Sequence, residues 1–206
     1  MRTKVVWLSL LGAMTTVGGM LLAVEGRPAP RVDGMSFAPL AAAGTPNVIE
    51  SVFRTRTPLD KGRWTGIVIH HSNSPLGNAT TIAAEHEAMG LRGLGHHFII
   101  GNGNGMPNGE LYVGFRWLEQ LPGAHAGGPK GDEHNLHSIS ICLVGDGNRR
   151  SFTGAQYDRL IELTTALCRE LDIPPDHVYL HSQIAPTNDP GALFPIAEFR
   201  RDIAKR

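Results

Sequence analysis

Ile67-Val68-Ile69-His70 is a short, unbroken apolar run, rich in β-branched residues, that ends on a histidine. It is too short for a stable helix, and branching at Cβ suits a pleated backbone, so a buried strand is predicted. A buried strand requires neighbouring strands and a covering layer. His97-Phe98-Ile99-Ile100 and the alternating stretch from Ser138 to Val144 read as further strands. The turn-rich Gly101–Gly105 stretch predicts a hairpin from the first of these to Leu111-Tyr112-Val113. Val178-Tyr179-Leu180 is a short strand that delivers His181 to its end.

Helices are expected between the strands. Thr80 and Thr81 can cap a helix over residues 82–90. Thr153 and Gln156 have the spacing of a capping box, with Phe152 and Tyr157 placed as a hydrophobic staple. Leu160, Ile161, Thr164, Leu167, Cys168 and Leu171 then recur at helical spacing, until Pro174 and Pro175 stop the helix. Pro195 opens a last helix with Ile196, Phe199 and Ile203 on one face. Residues 119–135 read as a loop-rich section. Strands alternating with helices give an α/β fold: a mixed central β-sheet flanked by helices.

The first 24 residues differ from the rest. Arg2 and Lys4 precede an uncharged stretch from Val5 to Val24. Its 20 residues exceed the core of a signal peptide, about 7–15 residues, and are enough for a membrane span, about 17–25. Segment 1–24 is therefore read as a signal anchor or a signal peptide, with length favouring the anchor, and the domain as exported in either case. Residues 25–47, with Pro28, Pro30, Pro39 and Pro46 among Ala and Gly, read as a linker without a core of its own. The folded domain is then 48–206. A formal net charge of +0 gives no field to attract nucleic acid. Cys142 and Cys168 lack CxxC spacing and lie in apolar patterns. They read as small buried hydrophobes rather than as a thiolate metal site or a disulfide framework.

The chain has ten histidines, and histidine is the commonest metal ligand. His70 and His181 each end an apolar strand, so neighbouring strand ends can aim both imidazoles at one point. Asp189 follows His181 in a loop stiffened by Pro186 and Pro190. Two imidazoles and one carboxylate suit a catalytic Zn²⁺ with one position open for water. The competing reading makes both residues ordinary buried histidines.

These pieces occur in order with others: Gly95-His96-His97-Phe98-Ile99-Ile100, Gly123-Ala124-His125-Ala126-Gly127 and Asn135-Leu136-His137-Ser138-Ile139-Ser140-Ile141. Together the chain resembles the type 2 N-acetylmuramoyl-L-alanine amidases, which include phage lysozyme-type amidases and peptidoglycan recognition proteins, over residues 63–199. The resemblance implies an amidase/peptidoglycan-recognition-like fold and one Zn²⁺ per domain on His70, His181 and Asp189. It implies hydrolysis of the amide between N-acetylmuramic acid and L-alanine of peptidoglycan, in an exported bacterial protein expected to be monomeric. Peptidoglycan or a muropeptide would be the substrate, with the membrane contacted through the N-terminal segment. The alternative is a non-catalytic peptidoglycan-binding domain. Pure binders commonly lose a metal ligand, and this chain retains all three.

The chain departs from the usual pattern at His96, where many members carry tyrosine, and in lacking a glutamate on the strand from Ile139 to Leu143. His96 is the candidate base or donor to the developing oxyanion, with Thr187 as a second donor. His125, in the Gly-rich loop, is the candidate substrate contact. His71 and His97 should point away from the site through strand alternation. His86, His134, His137 and His177 are expected to be solvated or locally hydrogen-bonded, and Asn135 to orient a loop.

Overall fold

The computed structural model describes residues 31–38 and 48–205. The candidate signal or anchor at 1–24 lies outside them. Among the described residues, no helix is long and apolar enough to cross a membrane.

Six strands form one mixed sheet: β1 (Met35–Phe37), β2 (Gly66–His71), β3 (Phe98–Ile100), β4 (Leu111–Val113), β5 (Ser138–Leu143) and β6 (Val178–Leu180), in the order β1-β4-β3-β5-β2-β6. The apolar runs are its centre. β2 pairs in parallel with β5 and β6, and β3 in parallel with β5. β3 and β4 form the expected antiparallel hairpin.

Side chains alternate across the sheet. Ile67, Ile69, Ile139 and Ile141 join the larger core, packed with Leu160, Leu163 and Leu167 of the long helix, Phe199, and the Trp64–Trp117 pair. Ile99, Tyr112 and Cys142 join a smaller core with Ile82 and Ala83 of the helix Ala79–Ala88. By the same alternation His70 and Ser140 belong to this second, more thinly covered face.

The helices are α1 (Val48–Ser51), α2 (Ala79–Ala88), α3 (Phe115–Leu118), α4 (Gly131–His137), α5 (Gly154–Leu171), α6 (His181–Ile184) and α7 (Ile196–Ala204). Thr153 caps α5 and Gln156 closes the box, as the spacing predicts. α2 starts earlier than expected. Its cap is Asn78, whose side chain accepts from Thr80 N–H and Thr81 N–H at 3.0 and 3.1 Å, while the Thr81 hydroxyl accepts from Asn78 N–H. The 119–135 stretch is not all loop, since α4 begins at Gly131. Both cysteines are free.

Residues 25–47 are not wholly a linker. Within them β1 pairs antiparallel with β4, and Met35 and Phe37 pack on the larger core. The segment is pinned further by ion pairs of Arg31 and Arg56 with Asp33 and Glu119, and by a hydrogen bond from the Tyr112 hydroxyl to the Val32 carbonyl.

Candidate functional site

β2 and β6 place the first two site histidines. Their register pairs Ile69 with Leu180, so His70, the next residue of β2, lies beside His181, which opens α6 directly after β6. The ring centroids are 4.4 Å apart. Asp189 comes from the loop after α6. Its backbone is held by Ser182 N–H donating to its carbonyl at 2.8 Å, and by its own N–H donating to the Thr187 hydroxyl at 3.2 Å. Asp189 Oδ2 then lies 3.0 Å from His70 Nδ1 and 2.8 Å from His181 Nδ1. One ligand atom from each of the three residues lies within 4.8 Å of the others.

The surrounding hydrogen bonds show what this cluster can hold. The Ser138 carbonyl can only accept, so His125 Nε2, 3.3 Å away, carries a proton. Neutral His125 then accepts at Nδ1, and His70 Nε2, 3.0 Å away, must be the donor. A neutral His70 with its proton on Nε2 turns a lone pair at Nδ1 toward the Asp189 carboxylate. Two acceptors facing each other at hydrogen-bond distance need a cation between them. A proton would make His70 an imidazolium, which its burial opposes. A divalent metal satisfies both atoms without charging the ring. The second Asp189 oxygen is held by the His71 N–H at 2.6 Å. Nitrogen and oxygen donors, with His70 and Asp189 braced on their far sides, fit Zn²⁺. His181 Nε2 is buried without a hydrogen-bond partner among the described residues.

Burial would raise the Asp189 carboxyl, but its short contacts with His181 and His70 outweigh that and hold the group below the ordinary carboxylate range. Burial, reinforced by neighbouring imidazoles, pushes His96 and His125 well below the usual histidine value. The site therefore offers neutral imidazoles and one anionic carboxylate.

The cluster opens into a cleft of about 370 Å³, whose wall includes His86, Met89, Leu91, His96, Ala124, His125 and Asn135. His96 lies on this wall, its ring 5.0 Å from that of His70, with Nδ1 2.5 Å from the Ser140 hydroxyl oxygen. His125 is there too, but both its nitrogens are already engaged by His70 and Ser138, which makes it a brace for a ligand. Thr187 is not part of the wall. Its hydroxyl oxygen accepts from the Asp189 N–H, which shapes the turn that presents the carboxylate.

Several residues depart from the sequence reading. Of the two states expected for His86, solvated or hydrogen-bonded, the structure has the second, and the residue is buried. Its Nδ1 accepts from Gly95 N–H at 2.8 Å, and its ring faces the cleft. His71 does not turn away: its ring also borders the cleft, and Nδ1 accepts from Gly147 N–H at 3.1 Å. His97 is structural as expected, accepting at Nδ1 from Ser140 N–H and donating at Nε2 to the Leu121 carbonyl. His134 is hydrogen-bonded locally, to Ser138, whereas His137 and His177 meet the distant carbonyls of Arg63 and Thr65. The Asn135 side chain accepts from the His125 and Ala126 N–H groups and donates to the Ala126 carbonyl, which orients the His125 loop.

Arg116 was not singled out from the sequence. Its guanidinium donates to the carbonyls of Leu94 and Pro122 at 2.7 and 2.6 Å, and to that of Arg92 at 3.3 Å. One side chain thus ties the segment before His96 to the loop before His125. The two loops also touch directly, as Ala124 N–H donates to the Gly95 carbonyl. A Cβ on Gly95 would come within 2.2 Å of the Ala124 carbonyl oxygen, so this close approach requires glycine.

Comparison with known proteins agrees with this geometry. No curated protein sequence matches the chain. Among solved structures, the endolysin N-acetylmuramoyl-L-alanine amidase LysCS from Clostridium intestinale is similar, with 27% identity and a TM-score of 0.59 over 73% of this chain and 90% of that one. The amidase LysC of the same organism is similar at 27% identity and a TM-score of 0.59, over 73% of this chain and 92% of its own. The Drosophila peptidoglycan recognition protein PGRP-LB shares the fold at 22% identity and a TM-score of 0.51, over 84% of this chain and 86% of its own. The family model described as N-acetylmuramoyl-L-alanine amidase matches residues 60–192, which include every residue of the His70–His181–Asp189 cluster. The chain belongs to the N-acetylmuramoyl-L-alanine amidase family.

Proposed function

We propose that the domain is a zinc-dependent N-acetylmuramoyl-L-alanine amidase that acts on peptidoglycan or its muropeptide fragments. The observation that carries this reading is the lone pair of His70 Nδ1 facing the Asp189 carboxylate, with His181 Nδ1 beside them. His70, His181 and Asp189 would hold the metal, which when bound would polarise the scissile carbonyl and ready a water for attack. His125 and His71 brace two of these ligands from behind. His96, with Nε2 left to face a ligand, handles either the transferred proton or the charge that develops on the carbonyl oxygen. Met89 and Leu91 give the cleft an apolar wall against which a lactyl or alanyl methyl can rest. A substrate in the wall places the domain outside the bacterial cytoplasmic membrane, with segment 1–24 as its leader or anchor.

The test is direct. Purified protein should bind one zinc per chain and release the stem peptide from a defined muropeptide, read by mass spectrometry. Chelation should abolish release and added zinc restore it. Stoichiometric zinc without stem-peptide release would instead assign a domain that only binds the glycopeptide.

A further inference from the structure

His96 can act as a base only if its cleft-facing nitrogen carries a lone pair, and as a donor only if that nitrogen carries the proton. The structure decides between these through Ser140. Ser140 is fully buried on β5, with 0% of its surface exposed. Its backbone N–H donates to His97 Nδ1 at 3.0 Å, and its hydroxyl lies 2.5 Å from His96 Nδ1. Among the described residues, that imidazole nitrogen is the hydroxyl's sole hydrogen-bond partner. His97 cannot compete for the hydroxyl proton, since its Nδ1 already accepts from the Ser140 backbone.

Two arrangements are conceivable. In one, His96 Nδ1–H donates to the Ser140 oxygen, and the hydroxyl proton is left with no protein acceptor. In the other, the hydroxyl donates to Nδ1 and both groups are satisfied. An unmade hydrogen bond on a buried hydroxyl is costly enough to favour the second arrangement by about tenfold or more. A neutral imidazole accepting at Nδ1 holds its proton on Nε2.

We propose that Ser140 is a positioning residue that locks His96 in the Nε2–H form, so that His96 serves the cleft as a hydrogen-bond donor and not as a base. What the donor is for rests on the amidase reading: it would meet the carbonyl oxygen as negative charge grows there. The tautomer itself does not depend on that reading.

The experiment is a long-range ¹H–¹⁵N correlation spectrum of the uniformly ¹⁵N-labelled, zinc-loaded protein. The His96 ring signals are identified by their loss in His96→Gln. The expected wild-type result is an unprotonated Nδ1 and a protonated Nε2. In Ser140→Ala, the His96 pattern should shift toward a mixture of both forms. His97, whose partner is the retained backbone N–H, should keep its wild-type pattern and so report an intact fold. A protonated Nδ1 in the wild type overturns the proposal, as does a His96 pattern unchanged by Ser140→Ala.

Turnover of a muropeptide gives the second reading. His96→Ala should lower kcat by about 10²–10³-fold, the usual cost of one such donor, with KM little changed. His96→Gln, whose side-chain amide can stand in for Nε2–H, should recover part of the loss. Equal kcat in the Ala and Gln variants would refute a donor role. An inactive wild type that shows the expected tautomer would sink the amidase reading and leave the Ser140 lock standing.

Discussion

His70 Nε2 and His125 Nδ1 lie 3.0 Å apart, and this hydrogen bond sets which nitrogen of His70 faces Asp189. Removing it should loosen the metal rather than the fold. His125→Ala is expected to weaken zinc binding by about 10–100-fold, the usual effect of losing a partner behind a ligating histidine. Competition with a chelating dye measures it. Unchanged affinity would show that His70 needs no brace.

Zinc should also stabilise the protein. A ligand that binds only the folded state at a hundredfold excess over its Kd adds about 2.7 kcal/mol. Thermal unfolding of chelator-stripped protein should therefore move upward when zinc is returned. Asp189→Asn removes the only carboxylate of the cluster and should abolish that response. A variant that still rises with zinc would place the metal elsewhere.

Acid should destabilise the metal-free protein before its carboxylates titrate. Burial pushes His97 down to about 3, and burial followed by the Arg116 charge pushes His86 down to about 4. The unfolded chain takes up these protons near the ordinary value of 6.5, while the folded chain does not. Stability is thus fully present above about 6.5 and falls as the pH drops toward 4, by at most about 1.4 kcal/mol per pH unit for each ring. Asp189 acts with the same sign in a lower window. Its folded carboxyl sits below the unfolded value of 3.8, so its contribution is present above that value and is lost beneath it. Urea midpoints at pH 7 and pH 5 test the histidine part. A midpoint that holds steady between them would contradict it.

Arg116 should matter to two loops at once. Replacing it with alanine leaves the carbonyls of Arg92, Leu94 and Pro122 without their donor. Hydrogen bonds from a charged group of this kind are worth about 1.5–3 kcal/mol, and a loss in that range is expected in chemical unfolding. Hydrogen exchange should quicken in residues 91–97 and 121–127 together. Faster exchange in one loop alone would show that Arg116 does not couple them.

The segment Arg31–Phe37 should behave as part of the domain. A chain beginning at residue 39 exposes the β4 edge and the core surface under Met35 and Phe37, and should unfold at lower denaturant and self-associate more readily. A chain beginning at residue 31 should match the full-length protein. Equal midpoints for the two would return the segment to linker status.

What could be read from the chain follows the range of the interactions involved. The strands at 67–70, 97–100 and 138–144 announce themselves because apolar, β-branched runs report burial locally. His70 and His181 were legible because each sits at a strand end, and Asp189 because prolines bracket its loop. The partnership of His96 with Ser140 was not legible: it arises from the parallel register of β3 on β5, which no local pattern encodes. Arg116 was missed because its partners are backbone carbonyls, which leave no mark in residue identity. β1 was hidden by its length and by a Pro- and Gly-rich neighbourhood. The helical context of His86 leaves solvation and hydrogen bonding equally open, because nothing in it reveals the Gly95 N–H that meets the ring.

The Asp189 carboxylate joins positions that lie 119 and 118 residues earlier, through His70 Nδ1 and the His71 N–H. During synthesis those strand residues emerge long before their partner. Until β6 and the loop beyond it have been made and docked, a nascent chain has one histidine of the cluster on β2 and nothing opposite it. A chain cut short before residue 189 could keep much of its sheet and still have no centre. The complete His70–His181–Asp189 centre would thus arrive last, with the final stretch of the domain.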